Sequence, residues 1–281
     1  MIDEKTLKTA IHLLDLAFDE DVATGDITTN NLIAQGEVRE AFWRAKENGV
    51  VAGLQLAELA FRRLDANLQW QPLVKEGDAV KKGDIVVRFK STYRALLSAE
   101  RIALNFVQRL SGIATETRRY ADAVAHTATQ ILDTRKTLPA YRLLDKYAVK
   151  IGGGTNHRIG LYDMVMIKDN HIDIAGGIAP AVLEIRAKVP SHIKIEVETT
   201  NIDQVMEAVQ AGADIIMLDN MSNDDMAEAV KYIAGRAKTE ASGNMNLQRL
   251  AEVAATGVDF ISVGALTHSV TALDISQRIE S

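Results

Sequence analysis

The chain has 281 residues, no cysteine, and 32 Lys and Arg against 38 Asp and Glu, a formal charge of −6. The missing cysteines exclude a disulfide framework, a thiolate nucleophile, a zinc–cysteine cluster and an iron–sulfur centre. The length suits one large or two modest domains, the 47% hydrophobic make-up is that of a soluble globular protein, and the acidic balance argues against a nucleic-acid partner.

The opening Met1-Ile2-Asp3-Glu4-Lys5 lacks the basic start and apolar run of a secretion signal. No apolar stretch reaches the length of about 18 residues that a spanning helix needs. A cytoplasmic protein with no membrane partner is therefore expected. Leu7, Ile11, Leu14 and Phe18 recur at helical spacing and predict a helix over 5–18, followed by a polar loop over 19–30. A strand is expected over 38–45 and a helix over 53–64. Gly77-Asp78 and Gly83-Asp84 between apolar runs spell tight turns joining short strands. They resemble carrier-domain turns, but Lys81-Lys82 lacks the flanks of a modified lysine, so this part reads as scaffold. A long helix over 98–124, broken or bent near Ser111-Gly112, carries Arg101, Arg109, Arg118 and Arg119.

From about residue 129 the pattern becomes regular. Strands are expected over 130–132, 164–167, 193–197, 215–218, 237–239 and 260–263, with helices over 140–149, 178–189, 202–211, 224–233 and 247–255 between them. Such alternation implies parallel strands with crossover helices, in a doubly wound or a barrel fold. The strand ends favour the barrel. Asp133-Thr134-Arg135-Lys136-Thr137, Lys168-Asp169-Asn170-His171, Glu198, Asp219-Asn220, Glu240-Ala241-Ser242-Gly243 and Gly264-Ala265-Leu266-Thr267-His268 each follow or end a strand. Functional groups from every unit at the carboxyl ends fit an α/β barrel, whereas a doubly wound sheet gathers them at one crevice. Six units, fewer than eight, make the barrel incomplete and open.

Charge is uneven as well. Residues 94–170 hold 12 basic and 7 acidic groups, a local +5, while the remainder is −11. The basic set is Arg135, Lys136, His157, Arg158 and Lys168, with Arg101 and Arg142 as outliers. Solvated surface charge is the plain alternative, but cations on successive strand-end loops repel one another, so a ligand with several acidic groups is the better reading. Gly152-Gly153-Gly154 before Asn156-His157-Arg158 reads as a ligand loop rather than a dinucleotide fingerprint. Glu198 and Asp219 can hold Mg²⁺ through water, stabilise positive charge in a transition state, or simply pair with the cations. Glu196, two residues before Glu198, shares its face as site member or charge neutraliser. Ser242-Gly243-Asn244 and Gly264-Ala265 suit a phosphate grip after late barrel strands.

Several of these motifs together resemble the quinolinate phosphoribosyltransferase family. They run from Asp21 with Gly25-Asp26-Ile27-Thr28-Thr29, through Glu100-Arg101 with Asn105 and Gln108 to Thr115, to Asp133–Thr137, Gly152–Arg158, Lys168–His171, Glu196-Val197-Glu198, Leu218-Asp219-Asn220, Glu240–Gly243 and Ser262–Ala265. Asn244 departs from the family, many members of which have a second glycine there. The resemblance implies an N-terminal α/β sandwich domain over 1–112 and an open α/β barrel over 113–269, with the tail from about 270 to 281 packing on the first domain. It implies a homodimer in which Arg101 reaches the neighbouring subunit's site. It further implies that Arg135, His157, Arg158 and Lys168 bind quinolinate, with Lys136 beside them. Glu198 and Asp219 then lie near the ribose and Mg²⁺-pyrophosphate, and Ser242, Gly243, Asn244, Gly264 and Ala265 near the 5′-phosphate. Lys136, Glu198 and Asp219 are the catalytic candidates, and the implied activity is Mg²⁺-dependent, decarboxylating phosphoribosyl transfer to quinolinate in NAD biosynthesis.

Three other readings stay open: a non-decarboxylating enzyme acting on nicotinate, which needs cations for one carboxylate only; a phosphosugar aldolase or isomerase using Lys168 or Lys136 as a Schiff-base amine; and a non-catalytic sensor of a phosphoribosyl ligand.

Overall fold

The computed structural model describes residues 2–280; residues 1 and 281, the outer limits of the two-domain reading, lie outside the described residues. In chain order the elements are α1 (Glu4–Asp21), α2 (Ile27–Leu32), β1 (Val38–Ala45), β2 (Gly49–Val50), α3 (Leu54–Leu64), β3 (Gln69–Pro72), β4 (Ala79–Val80), β5 (Ile85–Thr92), α4 (Tyr93–Ser98) and α5 (Glu100–Val124). Then follow β6 (Gln130–Leu132), α6 (Arg142–Gly152), β7 (Val165–Ile167), α7 (Asp169–Ala175), α8 (Ile178–Lys188), β8 (Ile195–Thr199) and α9 (Ile202–Ala211). The last are β9 (Ile215–Asp219), α10 (Asn223–Ile233), β10 (Lys238–Ser242), α11 (Leu247–Ala255), β11 (Phe260–Ser262), α12 (Ala265–His268) and β12 (Ile275–Ile279). None of the described helices is long and apolar enough to cross a membrane.

The first of two units comprises residues up to Arg118, Leu138–Gly153 and residues from Ser269 on. Its main sheet is antiparallel in the order β12-β1-β5-β3, so the end of the chain returns to pair with β1. Trp43, Phe61, Trp70 and Phe89 fill its core, with ring centroids 4.9 Å apart at the closest pair, Phe61 and Phe89. The apolar stripe of α1 is Ala10, Leu13, Leu14 and Phe18, while Ile11 faces solvent. The expected loop over 19–30 is shorter, because Asp26 accepts a hydrogen bond from the Thr29 amide at 2.9 Å and starts α2. The expected break at Ser111-Gly112 is absent: α5 runs straight through, and the interruption falls at Ala99. Gly112 is there for space, since a Cβ would sit 2.1 Å from the Thr271 carbonyl oxygen. Helix α6, which the alternation assigns to the barrel, belongs to this unit. Its Asp145 is fully buried and takes a two-pronged contact from Arg109 at 2.8 and 3.1 Å.

The second unit, Arg119–Thr137 and Gly154–His268, carries six parallel strands in the order β6-β11-β10-β9-β8-β7. Its first two strands in sequence, β6 and β7, are therefore the two edges, and the barrel is open between them. Helix stops expected at Gly212 and Gly257 are present, with φ of 78° and 88°.

Candidate active site

Side chains at the carboxyl ends of the parallel strands fall into two layers, because residues two apart on a strand share a face. Arg135, Glu198, Ser242 and Gly264 form the outer set. Asp133, Glu196, Glu240 and Ser262, each two residues earlier, lie deeper and are buried.

The outer layer has two parts. In one, Lys136, Asp219, Ser242, Gly243, Asn244, Gly264 and Ala265 line a cavity of about 460 Å³, together with Thr134, Asn220 and His268. Glycine is required here. A Cβ on Gly243, whose φ is 93°, would lie 2.2 Å from Asn220 Oδ1. Asn244 has φ of 50°, a left-handed conformation that asparagine tolerates better than most residues. Its Nδ2 donates to Asn220 Oδ1 at 3.2 Å, and Asn220 Nδ2 donates to Asp219 Oδ2 at 2.8 Å, so the two amides run in series to the carboxylate.

In the other part, Lys168 at the end of β7 pairs with Glu198 on β8. Arg158 donates to the Met164 carbonyl at 3.1 Å. Burial, then the nearby Arg135, lowers the Arg158 pKa below the usual guanidinium value. Two crowded guanidinium groups of this kind favour an anionic ligand.

The deeper layer is led by His157. Its side chain is 7% exposed, and its Nε2 lies 3.0 Å from a Glu196 carboxylate oxygen and 3.2 Å from one of Glu240. The Arg158 amide donates to its Nδ1 at 2.7 Å, and the His157 amide donates to Asp133 at 2.8 Å. The ring expected to bind ligand thus faces inward, with both nitrogens against protein groups. Burial, the strongest influence, favours an uncharged ring, but the two glutamates outweigh it and push the His157 pKa up to about 10. A ring charged in that way would need a proton on Nδ1, where an amide already donates. The hydrogen-bond direction decides for a ring protonated at Nε2, with Nδ1 as the acceptor. Burial and then Glu240 push the Glu196 pKa up to about 7.

Other expected features have structural roles. A Cβ on Gly152 would lie 2.5 Å from the Ala114 carbonyl oxygen, and Gly153 caps α6 with φ of 97°, so packing and capping account for two of the three glycines. Arg118 donates to the Gly152 carbonyl at 3.0 Å. Arg142 starts α6, and Arg101 is exposed on α5, both in the first unit. From the sequence, Glu240, Asn220 and His268 are strand-end groups with no binding or catalytic role assigned; the structure puts Asn220 and His268 in the cavity lining and Glu240 against His157. Glu240 had a usable signal, since it precedes Ser242 by the same two residues that separate Glu196 from Glu198.

Comparison with known proteins gives one family for both units. The model for the N-terminal domain of quinolinate phosphoribosyl transferase matches residues 26–111, and that for the C-terminal domain matches residues 113–278. A probable nicotinate-nucleotide pyrophosphorylase (carboxylating) of Synechocystis sp. is 48% identical, over 92% of this chain and 89% of its own. A quinolinate phosphoribosyltransferase (decarboxylating) of Nicotiana tabacum is 46% identical, over 96% of this chain and 82% of its own. The solved nicotinate-nucleotide pyrophosphorylase of Francisella tularensis superposes with a TM-score of 0.92 at 41% identity, covering 97% of this chain and 96% of that one.

Proposed function

The chain belongs to the quinolinate phosphoribosyltransferase family, and on that premise we propose how its strand-end groups divide between two substrates. The enzyme transfers phosphoribose from phosphoribosyl pyrophosphate to quinolinate with decarboxylation, giving nicotinate mononucleotide, pyrophosphate and CO₂ in de novo NAD biosynthesis. The observation that carries the division is the presence of two kinds of site at the carboxyl ends of one parallel sheet. The guanidinium groups of Arg135 and Arg158 lie close enough to repel, Lys168 pairs with Glu198, and a separate cavity of small loops holds Lys136 and Asp219.

Quinolinate's two carboxylates take the cations, Arg by paired N–H groups and Lys as a point charge. The Ser242–Asn244 and Gly264-Ala265 loops take the 5′-phosphate through backbone N–H groups. The pyridine nitrogen attacks C1 of the ribose as pyrophosphate departs. Positive charge develops on the ribose, and Glu198 and Asp219 offset it, with Lys136 against the leaving group. N-ribosylation makes the ring a pyridinium, whose positive charge stabilises the carbanion left at C2 when the C2 carboxylate departs as CO₂. Protonation of that carbon completes the product. The chain's own contribution is alignment and fixed charge, without a covalent intermediate. Lys168 suits a carboxylate clamp better than a Schiff-base amine, because its ammonium is engaged by Glu198.

Mg²⁺ fits this site through oxygen donors. Among the described residues Asp219 has one side-chain donor, Asn220, and Glu198 has Lys168, which leaves lone pairs on both for a hard cation or its waters. Bound there, the ion neutralises pyrophosphate charge. The reading also includes a homodimer in which Arg101 of one copy completes the barrel site of the other, and a cytoplasmic location. Exposure of Arg101 supports the former.

The test is one assay with Mg²⁺, phosphoribosyl pyrophosphate and either quinolinate or nicotinate. Pyrophosphate and CO₂ are expected together with quinolinate alone, and chelation should stop both. Turnover of nicotinate without CO₂ would overturn the reading.

A further inference from the structure

Glu196 on β8 and Glu240 on β10 come from alternate strands of the sheet, with β9 between them, and Asp133 follows β6, the next alternate strand. In an α/β barrel, side chains of alternate strands meet in one interior layer. Here that layer is acidic, and the His157 ring lies among its members. Four groups are thereby linked. The ring's Nε2 faces Glu196 and Glu240 at 3.0 and 3.2 Å, its Nδ1 accepts the Arg158 amide at 2.7 Å, and Asp133 accepts the His157 amide at 2.8 Å. The ring is thus a rigid strut between a buried carboxylate pair and the backbone of Arg158.

These three side chains also have the composition of a metal site, with ligand atoms all within 4.8 Å of one another. The tautomer argues against that use. A ring whose Nδ1 accepts an amide carries its proton on Nε2, so the nitrogen that faces the carboxylates has no lone pair to ligate with. Both carboxylates are fully buried, and among the described residues the imidazole is the polar group at hydrogen-bond distance from them. Two buried carboxylates with no other partner are costly, so they have a purpose only if the ring position matters.

We propose that Glu196 and Glu240 are positioning residues which, through the His157 imidazole, hold the Arg158 backbone and so align its guanidinium with a carboxylate of quinolinate. The inference rests on the division of substrates given above. Neither glutamate touches substrate; each acts through the ring. Affinity for quinolinate therefore depends on them, and affinity for phosphoribosyl pyrophosphate does not.

The experiment compares wild type, Glu240→Gln and Glu240→Met by steady-state kinetics in both substrates, with a thermal melt of each. Gln keeps an acceptor for Nε2–H, whereas Met keeps the volume and removes it. Met should raise KM for quinolinate about tenfold or more, with KM for phosphoribosyl pyrophosphate and kcat nearly unchanged. Gln should restore quinolinate KM to near the wild-type value. Equal rises in both KM values, or a fall in kcat alone, would overturn the proposal. Selective ¹⁵N labelling of the six histidines supplies a readout that needs no unstable variant. In wild type, the ring that responds to Glu240→Gln should show a bare Nδ1 and a protonated Nε2. A proton on Nδ1 would break the strut and sink the proposal even if the Met variant fails to fold. Wild type that releases no CO₂ from quinolinate would instead sink the substrate reading, and the two failures are distinct.

Discussion

Glu76 in the first unit and Glu240 in the barrel are both carboxylates drawn out of solvent, yet their surroundings differ in kind. Glu76 accepts the Gly53 and Leu54 amides at 2.8 and 2.7 Å, capping α3, and also meets the Tyr147 hydroxyl. Asp145, in the same unit, is matched by both prongs of Arg109. Their hydrogen-bonding capacity is taken up by the fold. Glu240 faces one imidazole, Asp219 has one side-chain donor, and Lys168 and Glu198 pair at a partly exposed strand end. Residue type does not separate the two regions. Unused capacity for hydrogen bonds and charge does, and at Asp219, Lys168 and Glu198 it marks where a ligand has work to do.

This contrast can be broken by exchanging the targets. Arg109→Ala leaves Asp145 buried without its cation, and breaking such a pair costs about 3–5 kcal/mol. A large fall in melting temperature is expected, with quinolinate KM of the folded enzyme unchanged. Arg158→Ala should show the reverse profile: a KM for quinolinate raised about 10- to 100-fold, with the melt nearly intact. If Arg109→Ala shifts KM and Arg158→Ala shifts the melt, the division between regions fails.

Within the barrel, Gly243→Ala forces a Cβ onto Asn220 and demands a left-handed alanine. KM for phosphoribosyl pyrophosphate should rise about tenfold, a cost of the order expected for strained backbone, while equilibrium binding of quinolinate holds. A matching loss of quinolinate binding would show that the two parts of the outer layer are not separate. Asn244→Gly is the mildest change. It relieves the left-handed asparagine but removes the hydrogen bond to Asn220, so the two effects oppose each other. Phosphoribosyl pyrophosphate KM should move by about twofold, and a tenfold rise would make the amide series to Asp219 far more important than its exposure suggests.

Elements with strong periodicity were legible in the sequence. The strand 38–45 and the helices 202–211 and 247–255 form where the pattern puts them. Short elements were not. α7, α12, β3 and β12 hold too few residues for periodicity to stand out, and β12 forms because β1 offers an edge across more than 200 residues of chain. Ser111-Gly112 misled for a related reason: the glycine answers to Thr271, far along the chain, and not to its own helix.

By itself the sequence determined the inventory: six β–α units, functional groups at each strand end, and cations concentrated between residues 94 and 170. These follow from local periodicity and from which residue types lie next to one another. The tertiary structure alone decided that β6 and β7 are edges, that α6 belongs with the first unit, and that His157 turns inward to Glu196 and Glu240. A period of two says which residues share a face of one strand. It does not say which strands meet across a barrel, because that depends on strand order, and strand order is settled by packing between segments far apart in the chain.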